Sequence, residues 1–397
     1  MLSVEEARDR ILSHARPTNV EDVPLEAAAG RVPASFVVDA EVDVPPFANS
    51  SMDGYAVRAA DLPGELILAG EAAAGAALLP AVDPREAVRI MTGAPLPPGA
   101  DTVVPLEVAT EHDGRVRLPA AEVGAFVRTA GQDTRRGDRV KLAREPLSAA
   151  SIAVFASLGL GSVEVRRRPV VALLATGDEL VNAGEPLAAG EIHDANSPAL
   201  TAAVLDAGGD PLPLATAHDD PAEIEAALLA GVEQADLLVA SGGVSVGRHD
   251  HVRATIERLG HLDLWRIAVQ PGKPLAFGIV AERPVIGLPG NPVSALVTFE
   301  LFVRPLLRAM LGLAGDGRMR IRVRLTEPVN KDAERRAYLR VVVRREGDEW
   351  VATPAGGQGS AQLRAMAAAN ALLVVPEGGA TATAGAGYDA ILLGGVG

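Results

Sequence analysis

Cysteine is absent from this sequence. No disulfide framework, zinc–thiolate site or cysteine nucleophile can be built from it, and a soft metal handled here would take its sulfur from a ligand. Basic residues are also scarce: 37 Lys and Arg stand against 51 Asp and Glu, a formal net charge of −14. Nucleic-acid and anionic-membrane surfaces need clustered cations, so the balance argues against both partners. No apolar run approaches a membrane span, and the opening MLSVEEARDR carries no apolar signal core, which predicts a cytoplasmic protein. The glycines and prolines, 41 and 29, follow no fixed period, so they mark turns and loops and exclude collagen.

What is present describes a multidomain globular enzyme. The chain has 397 residues, 48% of them hydrophobic, and a mean hydropathy of +0.19, enough for sizeable cores in two to four domains. Ser3 with Glu6 predicts a capping box opening a helix to about Ala15, and Pro45-Pro46 ends the extended segment after it. From 47 to about 137 short apolar runs alternate with turn signals, and Asp113-Gly114 predicts a hairpin. A helix from about Ser148 to Leu158, closed by Gly159, resumes the character of the first segment, so the β-rich block reads as an insertion into a helical domain. The spacing therefore predicts domains 1–46 plus 138–168, 47–137, 169–315 and 316–397.

The third of these is the clearest. Val170–Leu174 is a continuous apolar run, as expected of a parallel strand buried on both faces. Strand and helix then alternate: a helix capped by Asn196 or Ser197, an edge strand at Leu212–Leu214, a helix capped by Asp220, a strand at Leu237–Val239 and a helix from about His251 to Gly260. Strands Trp265–Val269, Leu275–Val280 and Pro284–Leu288 follow, and a long helix starts at Asn291-Pro292. This alternation predicts a doubly wound parallel sheet, with a small β-rich domain after Arg318.

Ligands bind open α/β sheets at the carboxyl ends of the strands. Three loops of unusual composition fall there. Thr176-Gly177-Asp178-Glu179 offers a hydroxyl and two carboxylates suited to Mg²⁺, although Asp178 also reads as a helix cap. Ser241-Gly242-Gly243-Val244-Ser245 predicts an anion cradle of glycine amides and hydroxyls, matching neither the Walker nor the Rossmann fingerprint. Arg248 follows it as a possible phosphate contact, His249 and His251 flank Asp250, and His251 reads equally as a solvated residue. Pro289-Gly290-Asn291-Pro292-Val293-Ser294 is a rigid turn into a helix N-terminus, and Lys273 sits on the Gln270–Pro274 turn as a phosphate contact or a solvated lysine. Asp219 lies at another strand end; if Glu179, Asp219 and Asp250 converge beside phosphates, they imply a cation between them. Asn49–Tyr55 and Met91–Ala94, read alone, are turns.

Taken in order, SSMDGYAV, MTGAPLPPGADTVV, GQDTRRGD, ATGDEL, SGGVSVG, QPGKPLAFG and GLPGNPVSA resemble the molybdopterin molybdenumtransferases, the MoeA family related to the gephyrin E domain. The resemblance runs from the first helix to the tail. It implies a central three-layer α/β domain of molybdopterin-binding type, a β-rich inserted domain, a C-terminal β-barrel-like domain and a cytoplasmic homodimer. The partner's inserted and C-terminal domains would help wall the cleft, with transient contacts to other proteins of molybdenum cofactor biosynthesis. The implied reaction takes adenylylated molybdopterin and molybdate with Mg²⁺, releases AMP and places the metal in the pterin's dithiolene. The motifs carry Asp53, Thr92, Glu179, Asp219 and Asp250 over as catalytic residues, the last three also as metal ligands. Thr176, Gly177, Ser241, Gly242, Gly243, Ser245, Lys273, Pro289, Gly290, Asn291, Pro292 and Ser294 would hold the pterin phosphate or molybdate. Two positions depart from the family pattern: Gln270 where a lysine is usual, and His251 where a tyrosine is usual. A molybdopterin adenylyltransferase and a gephyrin-like scaffold are the alternatives; the first would consume ATP, and the second would leave the carboxylates without a role.

Overall fold

A computed structural model describes residues 1–73, 75, 78–244 and 251–394; Ser245, Arg248, His249 and Asp250 lie outside the described residues. The chain divides into two compact units, Met1–Glu21 with Arg166–Gly397, and Asp22–Val165.

The first unit is built on a six-stranded sheet in the order Asp210–Pro213, Val170–Ala175, Leu237–Ser241, Arg283–Leu288, Ala276–Val280, Gly260–Trp265. Its central strands are apolar at consecutive positions because both faces are covered. Val171, Leu173, Leu237 and Val239 face one core with Ile11, Leu200, Phe299 and Leu306, while Ala172, Leu174, Leu238 and Ala240 face the other with Ile224, Leu228, Val252 and Ile256. Period-two alternation thus feeds two helical layers at once. The first four strands are parallel, as the alternation predicts. The last two pairings are antiparallel, and the expected strand Trp265–Val269 is instead the end of Gly260–Trp265 plus a short Val269–Gln270. The reversal is a two-residue hairpin in which Ala281 and Glu282 take φ +47° and +63°.

Helix starts show how local chemistry sets boundaries. Ser3 and Glu6 form the predicted capping box, and the Asp220 carboxylate accepts from the N–H groups of Ala222 and Glu223. The helix Asn196–Asp206 is capped by neither Asn196 nor Ser197: the buried Asp194 carboxylate accepts both of their N–H groups, at 2.8 and 3.0 Å. The helix expected from Asn291-Pro292 reaches Met310 but passes through a π-helical stretch, Phe299–Val303. Asp178 caps no helix, since a short strand, Leu180–Val181, follows it.

In the same unit, Arg320–Leu325, Arg336–Glu346, Glu349–Pro354, Ala371–Val375 and Gly387–Leu392 make a closed five-stranded barrel. Closure comes from Arg336–Glu346, which pairs with both Glu349–Pro354 and Ala371–Val375. Val323, Leu325, Leu339, Val341, Ala352 and Leu373 fill the interior.

The second unit carries a curled six-stranded sheet built on Gly54–Val57, Gly64–Ala72 and Glu86–Ile90, with Tyr55, Leu66, Val104 and Val116 in one core and Val88, Ile90 and Val103 in another. Asp113 and Gly114 form the predicted hairpin turn between Thr110–His112 and Arg115–Leu118. Within Asn49–Tyr55 the residues from Gly54 onward are a buried strand, where only turns were expected. A Cβ on Gly54 would clash with the Val104 carbonyl, so that strand approaches its neighbour too closely for any side chain.

Candidate active site at the strand ends

A cavity of about 600 Å³ opens at the carboxyl ends of the parallel strands. Its walls come from the three predicted loops. Thr176, Gly177 and Glu179 belong to the first, Ser241, Gly242 and Gly243 to the second, and Pro289, Gly290, Asn291 and Pro292 to the third; Asp219 joins them from the end of the edge strand. Lys273 is exposed and Ser294 is buried, and neither lines the cavity, although Pro274 does.

Backbone bonds lace the loops together. Thr176 N–H donates to Ser241 O at 3.2 Å, Gly242 N–H to Leu288 O at 3.1 Å and Gly177 N–H to Ala217 O at 3.2 Å. Glycine is required at the centre. Gly242 has φ +100°, and a Cβ there would stand 2.8 Å from Thr176 O and 2.9 Å from its hydroxyl. Gly243 has φ +64°, and its Cβ would meet Val252 at 2.8 Å. Both conformations disfavour other residues, and the missing side chains expose main chain to the cavity.

Thr176 is only 6% exposed, and its Oγ1 is buried with no hydrogen-bond partner among the described residues. An unsatisfied buried hydroxyl costs about 1–3 kcal/mol, so this atom calls for an acceptor or donor arriving in the cavity.

The carboxylates have distinct settings. Glu179 is exposed, and its carboxylate folds back over Gly177. Asp219 is half-buried, and its N–H donates to the Asp178 carboxylate at 3.0 Å. Asp178 also lies 3.3 Å from His218 Nδ1, so it ties the first loop to the Asp219 strand end. This tie is legible only in space, because 41 residues separate Asp178 from Asp219 along the chain.

Residues that their type alone does not mark also line the cavity: Leu180, Ile192, Asn196, Val244, Pro274 and Ala361. Ala361 comes from the segment that precedes the helix Leu363–Ala368, anchored where Val293 N–H donates to Ser360 O at 3.1 Å. The fully buried Arg340 holds the same segment, donating to the carbonyls of Gly357 and Gly359 at 3.0 Å each; burial pushes its guanidinium down to about 10. Gln270 has a structural use here, since its Oε1 accepts from Asp332 N–H at 2.7 Å, which an ammonium group in its place would not do. His251 opens the helix His251–Leu259.

Asp53 and Thr92 are together in the second unit. One carboxylate oxygen, Asp53 Oδ1, accepts from both the N–H and the hydroxyl of Thr92, each at 2.7 Å. These bonds, the backbone one foremost, hold the Asp53 carboxyl below the ordinary carboxylate range. A group depressed in this way favours the folded state above its unfolded pKa and loses that contribution as pH falls through its folded pKa. Thr92→Val keeps the N–H and removes the hydroxyl. The Asp53 pKa followed by ¹³C NMR is therefore expected to rise part of the way towards its ordinary value; no movement would refute the shared bond.

An α/β layer with a cavity at the carboxyl ends of its parallel strands, lined by glycine main chain and two carboxylates, belongs to the class of α/β enzyme domains that take their ligands at the strand ends. Three family models match the chain: MoeA N-terminal region (domain I and II) over residues 2–159, probable molybdopterin binding domain over 172–309, and MoeA C-terminal region (domain IV) over 322–393. A molybdopterin molybdenumtransferase of Haemophilus influenzae is 40% identical over 319 residues, 79% of this chain and 78% of its own. Molybdopterin molybdenumtransferase 2 of Mycobacterium tuberculosis is 37% identical over 394 residues, covering 95% and 96%. The crystal structure of a molybdopterin biosynthesis MoeA protein from Pyrococcus horikoshii superposes with a TM-score of 0.85 at 33% identity, over 100% of both chains. The chain belongs to the MoeA family.

Proposed function

We propose that this protein inserts molybdenum into molybdopterin, taking adenylylated molybdopterin and molybdate as substrates and releasing AMP. The observation that carries the reading is the Thr176 hydroxyl, which has no hydrogen-bond partner among the described residues and is buried beside Gly242 and Gly243 in a cavity that Glu179 and Asp219 also line. Thr176 Oγ1 and the cradle's main chain bind phosphate oxygens of the ligand. Pro289 and Pro292 keep the third loop stiff, and Ser241 adds a hydroxyl. Water adds to the phosphoanhydride, so that AMP departs and the other phosphate stays on the pterin. Two Mo–S bonds form to the dithiolene as its two S–H protons leave with one molybdate oxygen as water, the metal keeping its oxidation state, and the protein has no thiol of its own to compete.

The residues present suit Mg²⁺. Among the described residues no group of three or more His, Asp or Glu side chains gathers as a metal cage, but two carboxylates line one cavity. Mg²⁺ is commonly held by one or two carboxylates plus substrate phosphates. Glu179 and Asp219 would hold the cation, with Asp250 as a third candidate. When bound, it would neutralise charge on the anhydride.

Asp53 and Thr92, joined to each other in the second unit, would act as a catalytic pair, Ser245 and Lys273 would add phosphate contacts, and the working form would be a cytoplasmic homodimer that exchanges ligand with other proteins of the pathway. Adenylyltransferase and scaffold readings are less favoured, because a relative named molybdenumtransferase matches 95% of this chain.

Purified protein mixed with adenylylated molybdopterin, molybdate and Mg²⁺ is expected to release AMP in step with cofactor formation. Chelation with EDTA should suppress the release and added Mg²⁺ should restore it. ATP consumption without AMP release from the adenylylated substrate would overturn the reading in favour of the adenylyltransferase.

A further inference from the structure

The three loops around the cavity form a triangle, and its sides are made differently. The first and second are joined by Thr176 N–H to Ser241 O, and the second and third by Gly242 N–H to Leu288 O. Between the first and third the bond is a side-chain one: Asn196 Nδ2 donates to Gly290 O at 2.8 Å. Asn196 is itself firmly placed. Ile192 N–H donates to Glu179 O and Asp194 N–H to Val181 O, both at 2.8 Å, which seats this segment on the first loop. The Asp194 carboxylate, 7% exposed, then takes the N–H groups of Asn196 and Ser197. With those donors occupied, the start of the helix offers them to no phosphate, and the Asn196 carboxamide is left to span to Gly290. Gly290 in turn neighbours Gly242: a Cβ on it would make an ordinary contact with Gly242 Cα, at 3.7 Å.

We propose that Asn196 is a positioning residue for the transfer reaction: its side-chain N–H closes the triangle and sets where the Pro289–Pro292 loop stands against the glycine cradle. The residue type is specific. Aspartate has the same shape but no donor for a carbonyl, and alanine cannot reach. One such bond adds little to the stability of the whole chain. Its larger effect is geometric, because a displacement of about 1 Å in a site can cost roughly 10²-fold in rate.

The kinetic arm of the test rests on the transferase reading above; the exchange arm does not. Asn196→Ala and Asn196→Asp are compared with the wild type by hydrogen–deuterium exchange on peptides covering 288–294, and by AMP release. Both variants are expected to speed exchange at the Gly290, Asn291 and Val293 amides and to leave exchange at Val171, Val239 and Ile286 unchanged. For both, kcat should fall by about 10-fold or more while KM moves by less than about 3-fold, the pattern of a mis-set site rather than of weakened substrate binding. Wild-type exchange at 290–293 in either variant would overturn the proposal. Failure of the wild-type protein to release AMP would overturn the transferase reading instead, and the exchange result would still decide the role of Asn196.

Discussion

Glu179→Gln is expected to lower the rate of AMP release by about 10³-fold, roughly 4 kcal/mol in the barrier. The substitution keeps the size and hydrogen-bonding reach of the side chain and removes only its negative charge. A carboxylate that helps hold a cation against an anhydride supplies several kcal/mol of charge stabilisation, whereas an exposed side chain with no fold-stabilising role supplies almost none. Glu179 is exposed and lies over Gly177, whose missing side chain gives the carboxylate room to fold back. The melting temperature should therefore stay within about 2 °C of the wild type. A variant that turns over at the wild-type rate would remove Glu179 from the catalytic set and, with it, the case for a cation between the two carboxylates.

The second large effect is expected at Gly242, where the fold and the chemistry meet. Gly242→Val forces a branched side chain into φ +100° and drives its Cβ to within 2.8 Å of Thr176 O. Backbone strain of this kind costs about 1–3 kcal/mol. The clash is with main chain, so it cannot be relieved by moving a flexible side chain. The Thr176 hydroxyl, 2.9 Å from the same Cβ, must shift with it. AMP release should fall by at least about 10²-fold, with a loss of several degrees in melting temperature. Gly161→Ala is the matched control, since a Cβ there meets nothing within 4 Å and its φ is ordinary; it should change neither quantity. Full activity in Gly242→Val would mean that the glycine is a plain turn and that the phosphate sits elsewhere.

Much of this architecture could be read from spacing. Val170–Ala175 and Leu237–Ser241 are apolar at consecutive positions, and only burial on both faces explains such runs. The prolines at 211 and 213 placed their strand at an edge, and it is one. Direction was harder. Hydrophobic periodicity records which side of a strand is buried and says nothing of which way it runs. The turn that reverses the sheet uses Ala281 and Glu282 in left-handed conformations usually marked by asparagine and glycine.

The site was legible where backbone chemistry sets it and obscure where distant side chains do. The glycines, prolines and strand-end acids of the three loops announce themselves by type. Asn196 did not, because beside a helix start its amide looked like a cap. Asp194, two residues earlier, was the better candidate by the reach of its carboxylate to N–H groups two and three residues ahead. Asp178 and Gln270 bind partners 41 and 62 residues away, a distance no local pattern encodes. Lys273 is exposed, and from its turn the described cavity wall takes the neighbouring Pro274.

Joining Arg336–Glu346 to strands on both of its sides has a result for how copies of this chain can meet. A sheet with an open border can be extended by almost any passing segment, since N–H and C=O groups do not discriminate. Closure covers most of the cylinder's borders, and where Arg336 and Ala337 still offer main chain, the chain's own Val269–Gln270 takes it. A second subunit that engages the closed stretches of this part of the protein would be recognised by side chains, and a single surface substitution there can weaken the association without disturbing the cylinder itself.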